Sequence, residues 1–148
     1  MYTHILFPTD GSKLSAKAAR QVVKFAKSIG AKLTAIHVSG EYRPMMDEGF
    51  ALPTVSAFKK RFEAESLKHS KTLLDGVKSD AQSAGVECDG VPVISNSPYA
   101  AIIRQAKKSK CDLIMMASHG RKGLSSLLLG SETSKVLTHS TIPVLVVR

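Results

Sequence analysis

Five short apolar runs punctuate the chain: "HILFP" (His4 to Pro8), "KLTAIHV" (Lys32 to Val38), "VPVI" (Val91 to Ile94), "DLIMMAS" (Asp112 to Ser118) and "PVLVV" (Pro143 to Val147). Their apolar residues are nearly continuous rather than alternating, as in strands covered on both faces of a parallel sheet. Between them the apolar positions fall three and four apart. Ala19, Val22, Val23, Ala26 and Ile29 form one such stripe, and Leu67, Ser70, Leu74, Val77, Ala81 and Ala84 a second. Both predict amphipathic helices. Gly30 and Gly85 stand where these helices should stop, and Ser97-Pro98 offers an N-cap and a proline at the first position of a third helix, Pro98 to Lys110. Ser131 opens a fourth, which runs to Ser140 ahead of Pro143.

The order β-α-β-α-β-α-β-α-β, with right-handed crossovers, predicts an α/β fold: an open five-stranded parallel sheet with helices on both faces. Ser39 to Ala57 is the one irregular stretch, long for a connection and without a clear period, and reads as a lid or a surface loop. A length of 148 residues suits a single domain, 1–148.

Composition narrows the classes. Cys88 and Cys111 are far apart, in neither a C-x-x-C nor a His-flanked spacing, so no disulfide scaffold or zinc site is expected and a reducing cytoplasm fits. No apolar stretch approaches the roughly 20 residues that span a bilayer, and "MYTHILFPTDGS" lacks a basic region followed by a long apolar run, so a soluble, unexported protein without a membrane partner is expected. The formal net charge is +9, but the cations are spread along the helices with few aromatics between them. They read first as solvated helix faces plus a local anion site, and only second as a polyanion surface; no nucleic-acid partner is expected.

In such a sheet a ligand site is expected beyond the carboxyl ends of the strands, where the strand order reverses. The loops meeting there follow the first, second and fourth strands: "PTDGS" (Pro8 to Ser12), "HVSG" (His37 to Gly40) and "MMASHGRKGLSSLLLGSETSKVL" (Met115 to Leu137). Gly130-Ser131 stands at the mouth of a helix, where unpaired N–H groups and the helix dipole favour an anion and glycine permits close approach. Gly120 and Gly123 allow unusual backbone shapes beside Arg121 and Lys122. A plain strand-to-helix loop is the other reading of these residues. Neither G-x-x-x-x-G-K-[ST] nor G-x-G-x-x-G occurs.

The loop resembles the pattern G-x2-G-x9-G-[ST] of the universal stress protein family, in its ATP-binding branch. Gly120 takes the second glycine, Arg121 to Leu129 the nine-residue spacer, Gly130-Ser131 the end, and Ala117 replaces the first glycine. "ILFPTDGSKLSAKAARQVVKFA" and "CDLIMMASHGRKGLSSLLLGSETSKVLTHSTIPVLVVR" are similar to the family's two ends. The resemblance implies a Rossmann-like, adenine nucleotide alpha hydrolase-like fold with strand order 3-2-1-4-5. It also implies an ATP site, with AMP or ADP as alternatives and Mg bridging phosphate oxygens. Asp10, after Pro8-Thr9, and the backbone at Val38 would meet adenine, Met116 would pack on the base, and Pro8 and Ala117 would lie against the ribose. Gly120, Gly130, Ser131 and the backbone at Glu132 would hold phosphates, with Thr133 and Arg121 as supports. A homodimer through the C-terminal edge strand is implied as well.

Most of these residues carry a second reading. Asp10 before Gly11-Ser12 can form an Asx turn into the first helix, and Met116 ends a buried strand and can simply be core. His119 beside Ser118 lacks an evident acid and reads as a loop histidine, structural or ligand-touching. Gly130 is expected to allow close phosphate approach, in a conformation closed to other residues. Glu132 favours its helix but repels a triphosphate if its side chain turns inward; otherwise it points to water. Function divides accordingly into a nucleotide-dependent stress-response or regulatory protein with slow or absent hydrolysis, a non-nucleotide dimeric scaffold of the same fold, and, third, an enzyme using His119 or Asp10.

Overall fold

The computed structural model describes residues 1–44, 52–119 and 129–148. Strand β1 (His4–Pro8) lies at the centre of the sheet, because its side chains have neighbours on both faces: Ile5, Leu6 and Phe7 are each 0% exposed. Each such side chain contributes about 1.5–3 kcal/mol relative to exposure. Helix α1 (Lys13–Ile29) follows, started by Ser12, whose hydroxyl accepts from Ser15 N, and ended by Gly30 at φ 67°. Then come β2 (Lys32–Ser39), α2 (Leu52–Ser83), β3 (Cys88–Ile94), α3 (Pro98–Lys108), β4 (Leu113–Ala117), α4 (Ser131–His139) and β5 (Val144–Val147).

The sheet is parallel throughout, in the order β3-β2-β1-β4-β5. The chain steps outward from β1 to β3, returns to place β4 on β1's other side, and ends at β5. Alternate residues feed two cores. Ile5, Phe7, Leu33, Ala35, Leu113 and Met115 pack under α1 and α2. Leu6, Ile36, Ile114 and Met116 pack under α3 and α4, with Ile102 and Val136. The continuous apolar runs follow from this two-sided burial. Among the described residues no helix is long and apolar enough to cross a membrane.

Two elements differ most from the sequence reading. β3 begins at Cys88 rather than Val91; as an edge strand it is only half covered, so polar residues share it, and Gly90 sits where a Cβ would meet Leu74 Cβ at 3.1 Å. α2 begins at Leu52, inside the stretch read as irregular. No core lies under its early turns, where Phe58 and Phe62 are 47% and 40% exposed, so no apolar stripe marked them. Its buried stripe is Ser70, Leu74, Val77 and Ala81; Leu67 faces outward and Ala84 lies past the helix end.

Candidate functional site

The reversal of strand order falls between β1 and β4, which opens a crevice beyond their carboxyl ends. The turn after β1 is held from inside. Thr9 N donates to Ile36 O (2.9 Å), and the buried Thr9 hydroxyl accepts from Ser15 Oγ (2.9 Å) and Gly11 N (3.3 Å). Asp10 Oδ1 accepts from Ser12 N at 2.9 Å, the Asx turn that leads into α1. Gly11, at φ 75°, completes this turn in a conformation that favours glycine.

β2 outruns β1. On the β3 side Leu33 N donates to Glu87 O and Ser39 O accepts from Ser95 N; on the β1 side Lys32 N donates to Thr3 O and Ile36 O accepts from Thr9 N. The even-numbered peptide groups of β2 therefore face β1, whose last paired residue is Pro8, opposite Ile36. Val38 turns its N–H and C=O to that side after β1 has left for α1. A donor and an acceptor are thus presented side by side at the crevice.

Here lies a cleft of about 520 Å³, within the roughly 300–1,000 Å³ range of small-molecule sites. Asp10, His37, Val38 and Gly40 line it from the strand ends, and Phe62, Glu65, Ser66 and His69 from α2. His37 is 6% exposed, and its Nδ1 is 2.7 Å from Ser70 Oγ, a side chain that is itself 0% exposed. That bond fixes α2 over the end of β2. The His69 ring stands edge-on to His37, centroids 5.7 Å apart at 80°. The sequence reading placed His37 at a strand end without a role, and it missed the α2 residues. Their spacing of three, four and seven along one helix was the available signal.

The second part of the site joins β4 to α4. Met116 and Ala117 are both buried, Met116 in the core under α3 and α4 and Ala117 in the core under α1 and α2. Ala117 is in the strand, its carbonyl accepting from Thr133 Oγ1 at 3.1 Å, and Ser118 O accepts from Gly130 N at 2.8 Å. These two bonds bring the first turn of α4 against the end of β4. The Gly130 N–H is used internally, and the backbone donors at the helix start with no acceptor among the described residues are Ser131, Glu132 and Thr133. Gly130 has φ −59° and ψ 149°, which any residue adopts, so the expected forbidden conformation is corrected. Crowding is the reason for glycine: a Cβ there would lie 3.3 Å from His119 Cα and 3.4 Å from Ser118 O.

The Glu132 side chain turns toward the start of α3 and stays partly exposed. Its Oε2 accepts from Tyr99 N at 2.8 Å and its Oε1 from Lys135 Nζ at 2.9 Å. Ser97 occupies the N-cap position of α3 without a side-chain bond, and Glu132 supplies the acceptor from the neighbouring helix. The Lys135 ammonium lies 5.6 Å from the Tyr99 ring centre, and the Glu132 hydrogen bond and charge hold it above the usual lysine range.

Ser118 Oγ lies 3.0 Å from His119 Nδ1, and His119 Nε2 is buried with no hydrogen-bond partner among the described residues. Pro8, Thr9, Asp10 and Val38 thus gather on one side of the crevice, and Met116, Ala117, His119, Gly130, Ser131, Glu132 and Thr133 on the other. Gly120 and Arg121 lie outside the described residues. The two sides differ in charge. Asp10 and Glu65 bring carboxylates to the cleft lining, whereas α4 offers the positive end of its dipole.

Comparison with known proteins agrees with this architecture. The model of the universal stress protein family matches residues 1–148. Universal stress protein MJ0531 of Methanocaldococcus jannaschii is 34% identical over 100% of this chain and 83% of its own length. The solved structure of the M. jannaschii protein MJ0577 superposes with a TM-score of 0.84 at 28% identity, covering 99% of this chain and 96% of that one. Two more distant structures share the fold: a universal stress protein in complex with cAMP (TM-score 0.68, 23% identity, 99% and 97% covered) and one from Archaeoglobus fulgidus in complex with dAMP (0.67, 17%, 99% and 98%). The sheet order, the crevice and the match along the whole chain identify this protein as a member of the universal stress protein family.

Proposed function

We propose that this chain binds an adenine nucleotide, ATP or its shorter homologues ADP and AMP, across the crevice, and that loaded and free forms contact different cytoplasmic partners in a stress response. The carrying observation is the pairing of two unlike half-sites across the β1–β4 reversal. One is a cleft with an acceptor carboxylate at Asp10 and the outward peptide edge of Val38; the other is the open first turn of α4. Adenine presents an acceptor nitrogen beside an amino donor, the complement of the Val38 N–H and C=O. The phosphates meet Ser131, Glu132 and Thr133 N–H groups, and the buried His119 Nε2 offers one further polar contact. The Thr133 hydroxyl serves by tying the helix to Ala117. A divalent ion would enter with the phosphates, since the described residues hold no group of three His, Cys, Asp or Glu placed to bind a metal. Related folds solved with cAMP and dAMP support the adenine choice.

Among the described residues no carboxylate bonds to His119, and the Ser118 hydroxyl is buried, which favours binding over hydrolysis. Assembly as a homodimer fits β5, an edge strand. Pro143 O and Val147 O accept from Ile114 N and Ser118 N, so the alternate groups of Val144 and Val146 face away from β4, beside the 40% exposed Leu145. Calorimetric titration with ATP, ADP and AMP plus Mg, together with analysis of nucleotide released on denaturation, tests the reading. Repeated absence of both affinity and released nucleotide would put the non-nucleotide scaffold first.

A further inference from the structure

We propose that helix α2 is the base-reading wall of this cleft, with the His69 imidazole and the Phe62 ring supplying the flat faces on which the purine stacks. The proposal deepens the adenine-nucleotide reading and rests on it. Phe62, Glu65, Ser66 and His69 recur at spacings that keep them on one side of α2, and all four line the cleft opposite Asp10 and Val38. The next residue, Ser70, is buried and bonded to His37 Nδ1 at 2.7 Å, which sets the rotation and height of this part of the helix. His69 is placed in turn, its ring edge-on to the buried His37 ring. Phe62 is backed on its other side by Tyr42, ring centres 5.6 Å apart at 54°, yet stays 40% exposed. An exposed aromatic braced by a second ring at the mouth of a cleft is a ready stacking platform.

Charge orients the ligand. Asp10 and Glu65 bring carboxylate oxygens that accept from amino and hydroxyl groups, and the first turn of α4 presents N–H donors, so the nucleoside end enters here and the phosphates run toward α4. Val38 reads the edge of the base through its backbone, which leaves the ring faces to side chains. Among the described residues the rings within the cleft wall are His37, Phe62 and His69, and His37 already spends Nδ1 on Ser70 of α2.

Isothermal titration of the full chain with Mg-ATP and with Mg-tripolyphosphate separates base reading from phosphate holding. His69→Ala and Phe62→Ala should each weaken ATP about fivefold to a hundredfold, the range for losing one stacked ring, and leave tripolyphosphate within about twofold. Both side chains are exposed, so thermal melts should match the wild type. His69→Phe should restore ATP affinity to within about threefold, and His69→Leu should not. Unchanged ATP affinity in both alanine variants, or equal losses for ATP and tripolyphosphate, would overturn the proposal while nucleotide binding stands. Wild-type protein with no affinity for ATP would overturn both.

Discussion

Replacing Glu132 with alanine removes the side-chain acceptor of Tyr99 N, in the first turn of α3. Tyr99 N then loses its 2.8 Å partner in a half-buried position, because Ser97 makes no cap bond and Pro98 has no N–H to redirect. A hydrogen bond to a charged acceptor contributes about 1.5–3 kcal/mol. The Glu132 side chain is 35% exposed, so solvent screening reduces this to roughly 1–2 kcal/mol. The Lys135 pair on the surface adds little to this. At roughly 2–4 °C per kcal/mol for a chain of this size, Glu132→Ala should melt about 2–8 °C below wild type, and Glu132→Gln, which keeps an acceptor, should lose about half as much. Circular-dichroism melts at low and raised salt measure this, and the loss should persist at high salt because the bond to Tyr99 is only partly exposed. Nucleotide affinity is the second readout. A carboxylate directed at α3 does not oppose phosphate, so neither variant should bind ATP more tightly. If Glu132→Gln melts with wild type and gains tenfold or more in ATP affinity, the side chain faces the phosphates and the reasoning fails.

Gly130→Val should cost about 1–3 kcal/mol of overpacking against the backbone of residues 118 and 119, displacing α4's first turn and lowering ATP affinity on the order of tenfold to a hundredfold in a folded protein, whereas Ala117→Gly, in extended backbone, should change affinity less than about tenfold; wild-type affinity in Gly130→Val by titration refutes this. Burial, with Lys32 adding to it, holds His4 below the usual histidine range, so the unfolded chain takes up the proton first and stability falls as pH drops from about 6.5 through the folded value. Urea midpoints from pH 8 to 5 should fall less steeply in His4→Gln, and equal slopes would sink the assignment. Burial pushes the Cys88 and Cys111 thiols up to about 11, so native protein at pH 8 should react with thiol reagents far more slowly than urea-unfolded protein; equal rates would contradict this. Val146→Pro removes a donor from the outer edge of β5 and should shift sedimentation toward monomer, and a wild type that is monomeric at micromolar concentration would refute edge pairing.

The central strands were readable because two-sided burial leaves uninterrupted apolar letters, as at Ile5 to Phe7 and Leu113 to Ala117. The helix stops at Gly30 and Gly85 were readable because both need positive φ. Cys88 to Gly90 and the early turns of α2 were not, because a half-covered edge strand mixes polar with apolar residues and the exposed Phe58 and Phe62 mark no buried stripe. In the site, Asp10, Val38 and Gly130 were marked by their positions in loops at strand ends. The part taken by Phe62 and His69 depends on how α2 sits across β2, which the Ser70–His37 bond and the burial of Leu74, Val77 and Ala81 set together. The destination of Glu132 was hidden for the same reason, since its partner is the peptide N–H of Tyr99, which has no letter of its own.

The bonds from Gly130 N to Ser118 O and from the Thr133 hydroxyl to Ala117 O hold together the two ends of the intervening segment. The chain entropy of closing that segment is therefore lost on folding, before any ligand arrives. The backbone donors at the start of α4 are thus fixed to the end of β4 by the protein's own bonds, and a ligand meets them already in place.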